Sequence, residues 1–106
     1  MYKRTDKRRI YHLMDMYLSN NIDESTFCDE FYYSYDLELD RSTLTEDERK
    51  AFLELGEIVG RFSEFEEDHK NHPGVYYTKK ELKKKILEVK NKLKSQLQNS
   101  SMRKKR

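Results

Sequence analysis

The sequence predicts an all-α fold, a compact four-helix antiparallel bundle with a disordered basic C-terminal tail. Three observations carry that prediction. Apolar residues recur at helical spacing in four separate stretches, two Thr-x-x-Glu capping boxes mark helix starts, and no alternation of apolar and polar residues argues for strands. At 35% hydrophobic and 40% charged the composition approaches that of disordered chains, but eight tyrosines and five phenylalanines supply enough apolar surface for a modest core. Residues 1–99 read as one helical domain and residues 100–106 as the tail.

The first helix spans roughly residues 5–19, because Ile10, Leu13, Met14, Tyr17 and Leu18 fall on one face while His12 and Asp15 lie opposite. Asn20 and Asn21 suit its end. Asp23 is placed to cap a second helix, with Ile22 and Phe27 at the two positions of a hydrophobic staple, and Phe27, Phe31 and Tyr35 continue its inward face. Tyr32 and Tyr33 project elsewhere, and Asp36, Glu38 and Asp40 follow in a segment without clean periodicity.

The third helix starts at the capping box of Thr45 and Glu48, an arrangement that contributes about 1 kcal/mol. Phe52, Leu55, Ile58, Val59 and Phe62 form its apolar stripe, and Glu54, Glu57 and Glu64 gather on the opposite flank around Arg61. Gly56 and Gly60 each cost about 1 kcal/mol in a helix interior, which predicts close approach of another helix there. From residue 66 to residue 77 the pattern fails, and His72-Pro73-Gly74 predicts a loop. Thr78 and Glu81 repeat the capping-box spacing ahead of a last helix whose seam is Leu82, Ile86, Val89, Leu93 and Leu97.

The chain is short of catalytic signals. Hydrolysis needs a nucleophile beside a base or paired carboxylates in a cleft, and no local signature joins Cys28 to His69 or His72. Asp68, His69 and His72 lack a further ligand at a recognised spacing, so a solvent-facing loop explains them better than a metal centre. Gly56, Gly60 and Gly74 are too dispersed to cradle a phosphate, and no cofactor is expected. The lone Cys28 excludes an intramolecular disulfide, no apolar run approaches a membrane span, and residues 1–9 carry charge without the apolar stretch of a secretory signal. These features place the protein in the cytoplasm as a non-enzyme, away from membranes.

Charge is distributed unevenly. The net charge of +2 conceals +4 over residues 1–9, −13 over residues 10–69, where seventeen acidic side chains face four basic ones, and +11 over residues 70–106. The acidic middle lies near Tyr32, Tyr33, Tyr76 and Tyr77, all expected to be exposed. Aromatic anchors supply binding energy and carboxylates supply steering, so this combination fits a basic protein partner, in particular one whose positive cleft normally holds nucleic acid.

The order of motifs resembles the immunity proteins of the colicin D type, including relatives encoded beside contact-dependent growth-inhibition toxins. The resemblance runs over residues 10–93 and rests on Tyr17-Leu18, Ile22, Phe27-Cys28, the acidic connection, Leu55, the Arg61-Phe62 pair with carboxylates after it, and Tyr76 or Tyr77 before a charged terminal helix. It implies a small helical bundle that neutralises a cognate basic ribonuclease toxin attacking transfer RNA, by filling the toxin's active-site cleft with acidic side chains. Carried onto matching positions, the contacts are Glu64, Glu66, Glu67 and Asp68, then Glu57, and then Asp36, Glu38 and Asp40, with Tyr32 and Tyr33 as aromatic neighbours. The place directly before the Arg-Phe pair, acidic in the family pattern, is Gly60 here.

Two other readings remain open at this point. Lys79, Lys80, Lys83, Lys84, Lys85, Lys90, Lys92 and Lys94, followed by the terminal Arg-Lys-Lys-Arg, could contact phosphates and make the chain a nucleic-acid-binding regulator. No stacking motif or recognition-helix signature accompanies that charge, so direct nucleic-acid binding is the alternative and not the expectation. An interaction adaptor without inhibitory role is the third reading.

Overall fold

The computed structural model describes the backbone of residues 2–104 and the side chains of residues 2–94. Its elements are α1 (Arg8–Leu18), α2 (Glu24–Phe31), a π-helical segment (Tyr32–Glu38), a 3-10 turn (Arg41–Thr43), α3 (Glu46–Gly60), α4 (Glu66–Asn71) and α5 (Lys79–Lys104). The fold is all-α. The four expected helices form, and α4 makes the described residues a five-helix assembly in place of a four-helix one.

The α1 helix buries Ile10, Leu13, Met14 and Tyr17, the expected face. It begins at Arg8, later than the apolar pattern implies, because the Asp6 carboxylate accepts the Arg8 backbone N–H at 2.9 Å and its guanidinium at 2.6 Å. It ends at Leu18, and two residues on the chain reverses at Asn20, whose φ is +62°. The Asn20 N–H donates to the Tyr17 carbonyl at 3.0 Å and the Asn21 N–H to the Met16 carbonyl at 2.8 Å, the bond pair of a Schellman cap.

Asp23 caps α2 by accepting the Thr26 N–H at 2.8 Å. Phe27, Phe31 and Tyr35 stack in sequence, with ring centroids 5.9 and 5.3 Å apart, and the Tyr35 ring meets Phe52 of α3 edge-on. Beyond Phe31 the backbone widens to the π form, seen in the 2.6 Å bond from the Leu39 N–H to the Ser34 carbonyl. That change of pitch is why residues 32–40 show no 3.6-residue pattern. Asp40 then caps the 3-10 turn through the Ser42 N–H at 3.1 Å.

Both halves of the expected capping box start α3, with the Glu48 N–H on Thr45 Oγ1 at 3.1 Å and the Thr45 N–H on Glu48 Oε1 at 2.8 Å. Ala51, Phe52 and Leu55 are fully buried, while Ile58, Val59 and Phe62 pack half-buried against the core. The glycine expectation needs correction. A Cβ on Gly56 would sit 3.5 Å from the Tyr35 ring, an ordinary contact, and one on Gly60 would meet nothing within 4 Å. Neither position demands glycine for close approach.

The segment expected to be a loop contains α4. Its order comes from charge, since Glu66, Glu67 and Asp68 occupy the first turn and His69 and Lys70 the last, as the helix dipole favours. An apolar periodicity cannot reveal such a helix. The turn at His72-Pro73-Gly74 does form, with Gly74 at φ +81°. Around it Phe62 and Tyr77 make an isolated parallel bridge, in which the Tyr77 N–H reaches the Arg61 carbonyl at 2.7 Å and the Ser63 N–H the Tyr77 carbonyl at 3.1 Å.

The final helix follows its Thr78–Glu81 capping box and buries Leu82, Ile86, Val89 and Leu93 against α1 and α3. Leu97 lies outside the described side chains. The helix backbone runs on to Lys104, while the side chains beyond residue 94 and all of residues 105 and 106, most of the expected tail, lie outside the described residues.

Candidate functional site

Folding sorts the carboxylates of the acidic middle into two populations. Most of those before residue 55 are engaged inside the molecule. Arg9 takes Glu30 at 2.5 Å, Arg4 reaches Glu30 and Glu38 at 3.5 Å, Lys79 reaches Glu24 at 3.7 Å, Lys85 takes Glu54 at 2.5 Å and Lys90 takes Asp15 at 2.6 Å. The Lys85 ammonium holds the Glu54 carboxyl below the usual carboxylate range. Glu48 is 2% exposed and its carboxylate serves three donors, the Lys7 ammonium at 2.9 Å and the Tyr11 hydroxyl at 2.5 Å joining the Thr45 N–H of the capping box. Burial pushes this carboxyl up, but the Tyr11 hydroxyl, the Thr45 amide and Lys7 together outweigh it and keep the group below its ordinary range.

The second population lies between residues 57 and 68. Glu57, Glu64, Glu66 and Glu67 are exposed and make no ion pair or side-chain hydrogen bond among the described residues. Asp68 is half-buried and accepts Ser63 Oγ at 2.5 Å, a bond that fastens α4 to the preceding turn. A recess of about 330 Å³ opens here, and Cys28, Asp29, Phe62, Glu64, Phe65 and Asp68 contribute to its walls. Asp29 of α2, likewise exposed and without an ion pair among the described residues, therefore joins Glu64 and Asp68 at one place on the surface.

The other expected contact residues divide. Asp36 is exposed and makes no ion pair or side-chain hydrogen bond among the described residues. Tyr32 and Tyr33 are exposed as expected and meet edge-on at 6.0 Å, but Arg4 stacks on Tyr33 at 4.8 Å and pairs with Glu38. Asp40 is occupied by its cap and by a backbone bond to Thr5 at 3.1 Å. This group thus adjoins the basic N-terminal arm and lines no part of the Glu64 recess. Tyr76 and Tyr77 are half-buried, correcting the expectation of exposure, because Tyr76 packs edge-on against His69 and His72 and Tyr77 carries the bridge to Phe62. The expected gathering of Glu54 with Glu57 and Glu64 also fails at Glu54, which faces Lys85 of α5.

Two residues of the recess, Asp29 and Phe65, were missed by sequence reading. Asp29 is hidden beside Cys28 in a helix judged on its apolar face. Phe65, between two glutamates, has no periodic apolar partner that would have marked it as core, and that lack was the available signal. Little at the recess favours covalent chemistry. Burial, with Asp29 and Glu24 adding to it, pushes the Cys28 thiol up to about 12, so its nucleophilic thiolate is scarce. His69 donates from Nε2 to the Ser63 carbonyl at 2.9 Å, and no group of His, Cys, Asp and Glu among the described residues is placed to hold a metal ion.

A larger recess of about 600 Å³ lies on the side of α1 that faces α5, rimmed by Lys7, Arg8, Lys90 and Lys94. Three of these four cations are already paired, with Glu48, Asp6 and Asp15. Along α5, Lys79, Lys85 and Lys90 are paired, whereas Lys80, Lys83, Lys84, Lys92 and Lys94 show no ion pair among the described residues. No helix is long and apolar enough to cross a membrane among the described residues.

Comparison with known proteins bears on this surface. No curated protein and no solved structure matches the chain. A family model described as bacterial self-protective colicin-like immunity matches residues 8–93, from the first residue of α1 to the last buried leucine of α5. With the match spanning every helix that builds the core, the chain belongs to the colicin-like immunity family of bacteria, whose members protect their own cells from a toxin.

Proposed function

We propose that this protein binds a cognate ribonuclease toxin that cleaves transfer RNA, of the colicin D or contact-dependent growth-inhibition type, and covers its basic active-site cleft with carboxylates. The observation that carries the reading is the contrast in pairing: Glu57, Glu64, Glu66 and Glu67 stand without partners among the described residues while most carboxylates before them are engaged. A ribonuclease must hold positive charge where its substrate's phosphates lie, so a free negative surface steers the two proteins together and shields the site. The contact centres on Glu57, Glu64, Glu66, Glu67 and Asp68, and Asp29 extends it. Asp36, Glu38, Asp40, Tyr32 and Tyr33 form a second contact region. Inhibition is by occupancy in the cytoplasm, with no chemical step performed by this chain.

The test uses the full chain and an inactivated nuclease domain of the toxin encoded beside it. A one-to-one complex is expected, whose association rate falls steeply with salt. Changing Glu64, Glu66 and Glu67 to Lys together is expected to weaken it about 100-fold, the scale of a loss shared by several steering charges and their desolvated partners. Wild-type affinity in that variant rejects the surface. Survival of cells that express the active toxin and lack this protein rejects the function. The unpaired lysines of α5 favour one other reading, a nucleic-acid-binding regulator, which a gel shift of RNA at moderate salt would support and its absence would remove.

A further inference from the structure

Phe65 is the feature of this surface that charge does not explain. It is 64% exposed, and it stands at the N-cap of α4, a place where Ser, Thr, Asp or Asn would serve the helix better. Its ring therefore contributes to neither the core nor the cap. Its backbone, by contrast, is tightly held. The Phe65 N–H donates to Ser63 Oγ at 3.1 Å, and that hydroxyl donates to Asp68 at 2.5 Å. The Ser63 carbonyl accepts His69 at 2.9 Å, while its N–H is tied to Tyr77 at 3.1 Å. Four bonds thus anchor Ser63, two positions before Phe65, to α4 and to Tyr77. An exposed ring on an immobilised backbone meets the requirement for a binding anchor, because little ordering remains to be done on association.

The neighbours of the ring define its partner. Glu64, Glu66 and Glu67 flank it without an ion pair among the described residues, so a planar aromatic face and several anions occur within four consecutive residues. An unstacked nucleotide presents the same combination, a planar base beside phosphate charge, and proteins that read single-stranded RNA hold such bases against aromatic or guanidinium planes. We infer that Phe65 is the aromatic anchor of the toxin-facing surface, its ring entering the subsite of a basic ribonuclease that otherwise stacks a base while the adjoining glutamates lie over its phosphate-binding cations. The inference rests on the proposed toxin-binding function and adds the identity of the subsite. Ring and charges then divide the work. The glutamates set the rate of encounter, and the ring sets the lifetime of the complex.

Binding of the inactivated toxin domain to Phe65→Ala, Phe65→Leu and Phe65→Trp, measured as separate association and dissociation rates, tests this division. Phe65→Ala and Phe65→Leu are expected to speed dissociation about 100-fold, equivalent to about 2.7 kcal/mol, with association nearly unchanged, and Phe65→Trp is expected to bind like the parent. Circular dichroism should show each variant fully helical, since the ring is outside the core. Wild-type dissociation in Phe65→Ala, or in Phe65→Leu, overturns the inference, the second result because a branched aliphatic chain cannot stack. The triple Glu64, Glu66, Glu67 lysine variant separates the two claims. If it loses affinity while Phe65→Ala does not, the toxin-binding surface stands and the anchor falls, and if neither loses affinity both are wrong.

Discussion

The two acidic regions of this chain look alike in sequence and behave oppositely once folded. Before residue 55 the carboxylates are largely structural, capping helices as Asp23, Asp40 and Glu48 do, or bridging elements as Glu24, Glu30 and Glu54 do. After residue 56 they face solvent, and Asp68 is the member of that group with a side-chain bond. Formal charge is thus a property of sequence, whereas available charge is a property of the fold. Only the second kind can steer a partner, and the comparison predicts that substitutions of the engaged carboxylates of the first region act on stability and those of the free carboxylates of the second on binding.

Glu48 offers the strongest way to break that comparison. Replacing it with alanine removes half of the capping box, breaks the ion pair with the Lys7 ammonium, which keeps the Thr43 carbonyl, and leaves the half-buried Tyr11 hydroxyl without its acceptor, losses that sum to about 3 kcal/mol. Thermal melting should fall by about 10–20 °C, as expected for about 3 kcal/mol in a domain of this size, while toxin affinity measured below the transition stays unchanged. The same group sets an acid limb. Because its folded carboxyl is held below the unfolded value, its contribution is complete above about pH 4.3 and is lost as pH falls through the folded value. Urea midpoints should therefore drop more steeply with acid in the parent than in Glu48→Gln; parallel profiles would show that Glu48 is not the group responsible.

How much of this was legible in sequence follows from the kind of signal each element carries. Apolar spacing marked α1, α2, α3 and α5 together with the buried Ile10, Phe27, Phe52 and Leu82, and Thr45 with Glu48 and Thr78 with Glu81 marked two helix starts. The π-helical stretch escaped because its pitch departs from the helical period, and α4 escaped because it is held by charge order and by Ser63 in place of an apolar face. Which carboxylates are free could not be read at all, since Lys85 meets Glu54 across 31 positions and Lys7 meets Glu48 across 41. Ion pairing between distant residues leaves no local pattern.

A middle-sized effect concerns the junction between the two regions, at the end of α3. Gly60 faces open space and Gly56 has room for a Cβ in ordinary contact with Tyr35. Alanine at either position should raise stability by about 0.5–1 kcal/mol, by restricting the unfolded chain and favouring the helix. Denaturant titration checks this, and a loss of stability at Gly56 would mean that the π-helical segment and α3 pack closer there than the 3.5 Å contact to Tyr35 allows. Because Gly60 directly precedes Arg61 on the free acidic side, its alanine variant should also bind toxin like the parent.

The smallest expected change is the most informative about the second region. Glu64, Glu66 and Glu67 changed together to Gln lose two carboxylates from the first turn of α4, where each contributes about 0.3–1 kcal/mol through the helix dipole. They also relieve repulsion among free like charges, a term of similar size at low salt and opposite sign. The net change in stability should lie within about 0.5 kcal/mol, the range of ordinary surface substitutions. Added salt screens both terms, so the unfolding midpoint should differ little from the parent at any ionic strength. A loss of more than about 1 kcal/mol, beyond what surface positions usually give, would mean that these carboxylates hold the fold together as Glu48 does. The division between structural and available charge would then fail at the place where it matters for binding.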